Sequence, residues 1–336
     1  MLPPFSEDEN IILPGVKYSS VAYGDYDNDG DLDILLTGDT GSSKIAKVYR
    51  NTGGMFSEDT GLSLTGVIDS SVAFGDYDND GDLDILITGF PGSSYIAKIY
   101  RNTGGMFSED TGINLTGVRD SSVAFGDYDN DGDLDILLTG YSDSVRIAKV
   151  YRNTGGLFSE DTGINFTGVS VSSVAFGDYD NDGDLDILLT GDTGSSKIAK
   201  VYRNTGGSFS EDTDINLTGV SYSSVAFGDY DNDGDLDILL TGDTGSSKIA
   251  KVYRNTGGSF SEDTGINLTG VSSSSVAFGD YDNDGDLDIL ITGDTGSSKI
   301  AKVYRNTGGS FSEITDINLT GVYNSSVAFG DYDNDA

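Results

Sequence analysis

Ser275-Val276-Ala277-Phe278-Gly279-Asp280-Tyr281-Asp282-Asn283-Asp284-Gly285-Asp286-Leu287-Asp288-Ile289-Leu290-Ile291-Thr292 sets two short apolar runs on either side of a nine-residue stretch that holds five aspartates. Ser275 to Gly279 (segment A) and Leu287 to Thr292 (segment B) are β-prone and too short for a helix. Further on, Ile300 to Arg305 (segment C) mixes β-branched, aromatic and long charged residues, and Phe311-Ser312-Glu313 (segment D) is a weaker outer strand. Asp-Asn-Asp-Gly, Gly-Asp-Thr-Gly-Ser-Ser and Asn-Thr-Gly-Gly separate the four, and all are turn-forming.

This unit is copied along the chain. Asp-Tyr-Asp-Asn-Asp begins at Asp25, Asp76, Asp127, Asp178, Asp229, Asp280 and Asp331, always 51 residues apart, and Phe-Ser-Glu keeps the same phase from Phe5 to Phe311. Four short antiparallel strands in about 50 residues describe a propeller blade. A stacked β-solenoid is the competing architecture, but its coils are shorter and parallel, and tight glycine turns suit hairpins better. The expected fold is all-β: a β-propeller of four-stranded antiparallel blades on a 51-residue repeat, seven-bladed in plan with an incomplete last blade. The expected organisation is a single domain over 1–336, six complete repeats plus a half repeat shared between the termini.

The ends leave that last blade short. The chain opens on a D-type segment at Phe5 and closes on an A-type one at Ser326 to Gly330, so the shared blade lacks B and C. A fragment of a longer chain, a degenerate blade, or a neighbouring copy supplying the missing strands would each account for this. An unpaired edge is a template for association, so a homo-oligomer or filament is one expected partner state.

Composition narrows the chemistry. Of 336 residues, 56 are acidic and 19 basic, a formal net charge of -37 that disfavours nucleic acid, whose phosphates need a basic patch. With no His and no Cys, imidazole acid–base chemistry, thiolate nucleophiles, thiolate or imidazole zinc sites and disulfides are excluded. No apolar run approaches the roughly 20 residues of a membrane helix, and no insertion into a bilayer is expected. Met1 to Glu7 has no charged n-region or apolar h-region of an export signal.

The acidic stretch reads as a metal loop. In Asp25-Tyr26-Asp27-Asn28-Asp29-Gly30-Asp31-Leu32-Asp33, carboxylates at positions 1, 3, 5 and 9 and a main-chain carbonyl at 7 can wrap a hard cation if glycine at 6 allows the turn. An EF-hand would need flanking helices and Glu at position 12, where Leu36 stands. The candidate ligands are Asp25, Asp27, Asp29, Asp31 and Asp33; Asp76, Asp78, Asp80, Asp82 and Asp84; Asp127, Asp129, Asp131, Asp133 and Asp135; Asp178, Asp180, Asp182, Asp184 and Asp186; Asp229, Asp231, Asp233, Asp235 and Asp237; and Asp280, Asp282, Asp284, Asp286 and Asp288. Asp31 and its copies are expected to ligate through the main chain, their side chains having no assigned purpose. A solvated acidic turn is the plainer alternative, but the loops hold 33 of the 56 acids and leave 23 against 19 bases. Packing them without a cation would cost repulsion in every blade. Calcium suits the oxygen count better than magnesium, which prefers a smaller octahedral shell. The seventh copy ends Asp335-Ala336, without the glycine or the ninth-position Asp, so six Ca²⁺ ions are expected.

The strings Ala277 to Asp288 and Tyr304-Arg305-Asn306-Thr307-Gly308-Gly309-Ser310-Phe311 resemble the FG-GAP/VCBS repeat of integrin-α-like propellers, and the likeness recurs in every complete unit. The resemblance implies a calcium-bearing propeller of a cell-surface or secreted protein that binds partners or glycans; some relatives are polysaccharide lyases. Location outside the cell follows from this resemblance and from the millimolar calcium found there.

Antiparallel strands put loops AB and CD at one end of a blade and loops BC and DA at the other. Loops AB and CD hardly change between copies. Variation collects at the pair before Ser-Ser in segment A (Lys17-Tyr18, Ile68-Asp69, Arg119-Asp120, Ser170-Val171, Ser221-Tyr222, Ser272-Ser273, Tyr323-Asn324) and in two BC loops, Phe90 to Tyr95 and Tyr141 to Arg146. Drift at tolerant loop positions is the plain explanation. A diversified recognition face for an extracellular protein or glycan is the functional one, with Tyr18, Tyr95, Arg119, Tyr141, Arg146 and Tyr222 as contact candidates, since aromatic and Arg side chains dominate hot spots. Asn114, Asn165, Asn216, Asn267, Asn318 and Asn324 begin sequons that are candidate glycosylation sites. The repeats offer no singular constellation of the kind catalysis needs, so no enzyme is expected. A structural spacer or filament module is the alternative function, and a lyase the remoter one.

Overall fold

The computed structural model describes residues 8–334. The Phe5-Ser6-Glu7 copy of segment D and the Asp335-Ala336 end of the seventh loop lie outside the described residues. The remainder is strands and turns. The first blade is β1 (Lys17–Gly24), β2 (Asp33–Asp39), β3 (Lys44–Thr52) and β4 (Met55–Glu58). The second is β5 (Ile68–Gly75), β6 (Asp84–Phe90), β7 (Ile96–Thr103) and β8 (Met106–Glu109); the third is β9 (Arg119–Gly126), β10 (Asp135–Ser142), β11 (Val145–Thr154) and β12 (Leu157–Glu160). The fourth is β13 (Ser170–Gly177), β14 (Asp186–Asp192), β15 (Lys197–Thr205) and β16 (Ser208–Glu211); the fifth is β17 (Ser221–Gly228), β18 (Asp237–Asp243), β19 (Lys248–Thr256) and β20 (Ser259–Glu262). The sixth is β21 (Ser272–Gly279), β22 (Asp288–Asp294), β23 (Lys299–Thr307) and β24 (Ser310–Glu313). Each blade is one four-stranded meander with strands in chain order, so the described residues form a β-propeller of six blades.

The seven-bladed plan is corrected by this count. The seventh copy of segment A, Ser326 to Gly330, forms no strand; among the described residues its stretch carries only the bridge from Val322 to Ile300. A ladder needs a neighbouring strand, and among the described residues none pairs with this copy. It keeps the side-chain contacts of its type: the Val327 amide donates to Ser275 Oγ at 3.0 Å, and the Phe329 ring lies over Gly279.

The described chain divides into two compact units, Glu9–Val171 with the residues from Gly330 on, and Ser172–Phe329. Within each, the second strand of a blade is buried on both faces, which is why segment B is a continuous apolar run rather than an alternating one. Ile34 and Leu36 of β2 face Tyr49, Leu13 and Val16, while Leu35 faces Val48 together with Ile85, Ile87 and Tyr100 of the second blade. Residues Ile136, Leu137 and Leu138 of β10 are each 0% exposed, and burying such a side chain contributes about 1.5–3 kcal/mol.

The repeated Phe-Gly and Ser-Ser dipeptides join successive blades. A Cβ on Gly75 would lie 2.6 Å from the Phe125 ring of the third blade, so only glycine lets that ring close over the second. Ser71 Oγ accepts the Val123 amide at 3.2 Å, and the Thr88 and Ser121 hydroxyls share a 2.8 Å hydrogen bond. The same bonds recur from the fourth blade to the fifth, through Ser173, Val225, Thr190 and Ser223.

Candidate functional site

Each acidic loop turns back at its glycine, which has positive φ in every complete copy (+93° at Gly81), with the preceding Asn also left-handed. In the second blade Asp76 stitches the turn: Oδ1 accepts the Asp80 amide at 3.0 Å and Oδ2 accepts the Gly81 amide at 2.9 Å. Asp84, the first residue of β6, is 0% exposed; it accepts the Tyr77 amide at 3.1 Å and the Asn102 amide at 2.7 Å. One carboxyl oxygen from each of Asp76, Asp78 and Asp84 lies within 4.8 Å of the others. The same positions converge at Asp127/Asp129/Asp135, Asp178/Asp180/Asp186 and Asp229/Asp231/Asp237, and in the first blade Asp25, Asp27 and Asp29 do so.

The third position carries the sharpest evidence of a missing charge. Asp27, Asp78, Asp129, Asp180, Asp231 and Asp282 are side chains only 8–11% exposed, and in all six Oδ1 is buried with no hydrogen-bond partner. Arg50 and its copies on the third strand pair with this carboxylate from one side, Arg50 to Asp27 at 2.6 Å and Arg152 to Asp129 at 2.6 Å. One cation against a cluster of carboxylates leaves the site short of positive charge. Burial, against the pull of two amide bonds, pushes Asp33, Asp84, Asp135, Asp186 and Asp237 up to about 7 and Asp288 up to about 6. Burial also raises Asp27, helped by Asp29 and Asp25 and opposed by Arg50. An all-oxygen donor set with orphaned, half-desolvated carboxylates fits a hard divalent cation such as Ca²⁺.

The seventh-position acids stand outside these clusters, and their side chains have a different task. Asp82 Oδ2 accepts the Gly104 amide at 2.7 Å, tying the loop to the Asn-Thr-Gly-Gly turn of its own blade. Its Oδ1 accepts Asn28 Nδ2 of the first blade at 2.9 Å. Sequence reasoning also missed Asn102, which is fully buried. It donates to Leu83 O at 3.0 Å and to Tyr26 O of the preceding loop at 2.7 Å, and accepts the Gly105 amide at 2.8 Å. The constancy of Asn-Thr-Gly-Gly was the available signal. Tyr26 is likewise buried, donating to Asp59 at 2.8 Å and accepting from Arg50 Nε at 3.1 Å.

At the opposite end of the blades, the variable pair sits on a β-bulge. Its second residue is left-handed in every copy (φ 54° at Tyr18, 50° at Asp69, 47° at Asp120, 45° at Val171, 49° at Tyr222) whatever its side chain. The bulge lies beside a glycine of the second strand: Lys17 pairs with Asp39, then Ser20 with Thr37, leaving Gly38 between. Four of the six contact candidates gather here. Tyr141 has Arg119 and Arg146 as cross-strand partners, and the Arg119 guanidinium lies 5.5 Å from the Tyr95 ring and 5.4 Å from the Tyr141 ring. Phe90, not singled out from sequence, meets Tyr95 edge-on at 5.6 Å. The third blade reaches this geometry with a tighter hairpin, Asp143 and Ser144 both at positive φ, which lengthens β10 and β11. Tyr18 and Tyr222 do not join the cluster; each stands on its own bulge, 41% and 50% exposed. Asn114, Asn165, Asn216, Asn267 and Asn318 are exposed, whereas Asn324 is half-buried.

A family model described as FG-GAP-like repeat matches residues 25–87, 88–138, 138–189, 188–240 and 239–291. The chain belongs to the FG-GAP-like repeat family. No curated protein matches it in sequence. Among solved structures it is similar to YjhT, at 9% identity and TM-score 0.54 over 90% of this chain and 98% of that one. It is also similar to a mutant of the Aleuria aurantia lectin in complex with α-methyl-L-fucoside, at 10% identity and TM-score 0.51 over 89% and 95%. The same lectin mutant with Fucα1-6GlcNAc gives the same figures. At these identities the likeness is one of fold.

Proposed function

We propose that the protein is a calcium-stabilised extracellular β-propeller that acts as a non-catalytic binding module, engaging a protein or glycan at the end of the blades away from the acidic loops. The observation that carries the reading is the division of labour between the ends. Acidic loops are copied unchanged and hold orphaned carboxylates, while the other end diversifies and collects Tyr and Arg. Calcium would be held by positions 1, 3, 5 and 9 of each complete loop and would supply the positive charge the cluster lacks, bracing the first and second strands of a blade. A lectin of the same fold holds a fucoside, so this fold can carry a saccharide site.

A glycan array read with calcium and with chelator tests the reading. Reproducible calcium-dependent hits are expected, and unsaturated products released from acidic polysaccharides would point to a lyase instead. The structural-module alternative draws on the exposed Met55, Met106 and Leu157 along the outermost strands. It predicts a silent array together with concentration-dependent assembly in sedimentation.

A further inference from the structure

We propose that the cluster of Phe90, Tyr95, Arg119, Asp120, Tyr141 and Arg146 is a binding site for a neutral saccharide unit; the inference rests on the binding-module reading and narrows its ligand to one class. The cluster arises where a repeated ion pair has been replaced. In the later blades, the Lys that ends one BC loop pairs with the Asp that ends the second strand of the next blade, Lys197 with Asp243 and Lys248 with Asp294, both at 3.3 Å. At the equivalent positions of the first three blades stand Lys44 with Phe90, 4.5 Å from ammonium to ring, and Tyr95 with Tyr141, 6.5 Å between rings. Both exchanges remove a carboxylate and install an aromatic ring.

The result is a surface with two kinds of recognition chemistry. Partly exposed rings offer walls to the C–H face of a pyranose. Beside them lie donors and acceptors: the Arg119 guanidinium and the Asp120 carboxylate are both partly exposed, with Arg119 Nε 3.7 Å from Asp120 Oδ2. A guanidinium next to a carboxylate matches vicinal hydroxyls, each of which donates and accepts. Charge selects against an acidic sugar. Arg119 and Arg146 have Asp120 and Asp143 in their own loops, Asp69 lies within electrostatic reach of Lys44 and Arg119, and a chain of net charge -37 repels anions at longer range.

Saturation-transfer NMR and calorimetry on the full chain with calcium, using methyl glycosides of fucose, galactose, glucose and mannose at millimolar concentration beside methyl glucuronate and galacturonate glycosides, test this. At least one neutral glycoside should bind. Tyr95→Ala and Tyr141→Ala should each weaken it about tenfold or more, with melting temperature retained and Met55→Ala, on the exposed outermost strand of the first blade, without effect. Binding confined to the uronates overturns the ligand class, as silence across the whole panel overturns the site. Neutral binding that survives both substitutions overturns the site while leaving the glycan-binding reading intact; a silent array would remove that reading as well.

Discussion

Oδ1 of Asp78 is a carboxyl oxygen enclosed by protein with nothing to accept from, and its five copies share that state. Such an atom is costly in a metal-free protein and useful in a loaded one. Asp78→Asn is therefore expected to reduce the calcium stoichiometry measured by calorimetry by one ion; unchanged stoichiometry would remove this position from the ligand set. At the other end, Val171 is a β-branched residue held at φ 45°, where L-residues pay roughly 1–2 kcal/mol. Val171→Asn, with a side chain that tolerates this region, should raise unfolding free energy by about 1 kcal/mol in urea titration. A loss instead would mean that packing of the valine outweighs the strain. The variable position is free to vary because the left-handed backbone there is built into every copy.

Loops and turns, as well as strands, carry contacts from blade to blade. Asn102 satisfies two carbonyls and one amide, one of them in the neighbouring acidic loop. Truncation leaves those groups buried and unpaired, so Asn102→Ala should cost about 2–4 kcal/mol, more than a surface polar residue would. Saturating calcium should not restore it. Asn79 reaches the next loop, donating to Gly132 O at 3.2 Å and Asp133 at 2.8 Å, but from an exposed position. Its replacement by Ala should cost about 1 kcal/mol or less, and equal losses for the two variants would contradict this ordering. The strand assignments from periodicity stand within a few residues of those observed: periodicity starts segment B at Leu287 and β22 begins at Asp288. Bulges and cross-blade bonds left no periodic trace, since they depend on what lies opposite in space.

Six buried ninth-position acids make the whole molecule's stability depend on pH and calcium together. Their folded pKa is raised to about 7, or about 6 at Asp288, above the roughly 3.9 of an unfolded Asp. Between those values the unfolded chain releases protons that the folded one retains. Metal-free stability should therefore fall as pH rises from about 4 to about 7 and then level off. Calcium competes with those protons, so the rise in melting temperature it produces should be larger at pH 7.5 than at pH 5, with protons released on binding. Each ion at a hundredfold excess over its dissociation constant adds about 2.7 kcal/mol. A melting temperature indifferent to chelation at neutral pH would refute the calcium reading of the whole molecule.

Strand number per blade, the 51-residue period and the acidic loops were all legible along the chain, because each depends on neighbours within a few residues: alternation, turn chemistry and ligand spacing are local. Blade count was not. Seven copies of segment A suggest seven blades, but a blade exists only where a second and third strand are present to pair, and six are. The tasks of Asp82 and Asn102, and the meeting of Arg119 with Tyr95, were equally out of reach. These contacts join residues of successive repeats, so they come into being only when one blade packs against the next.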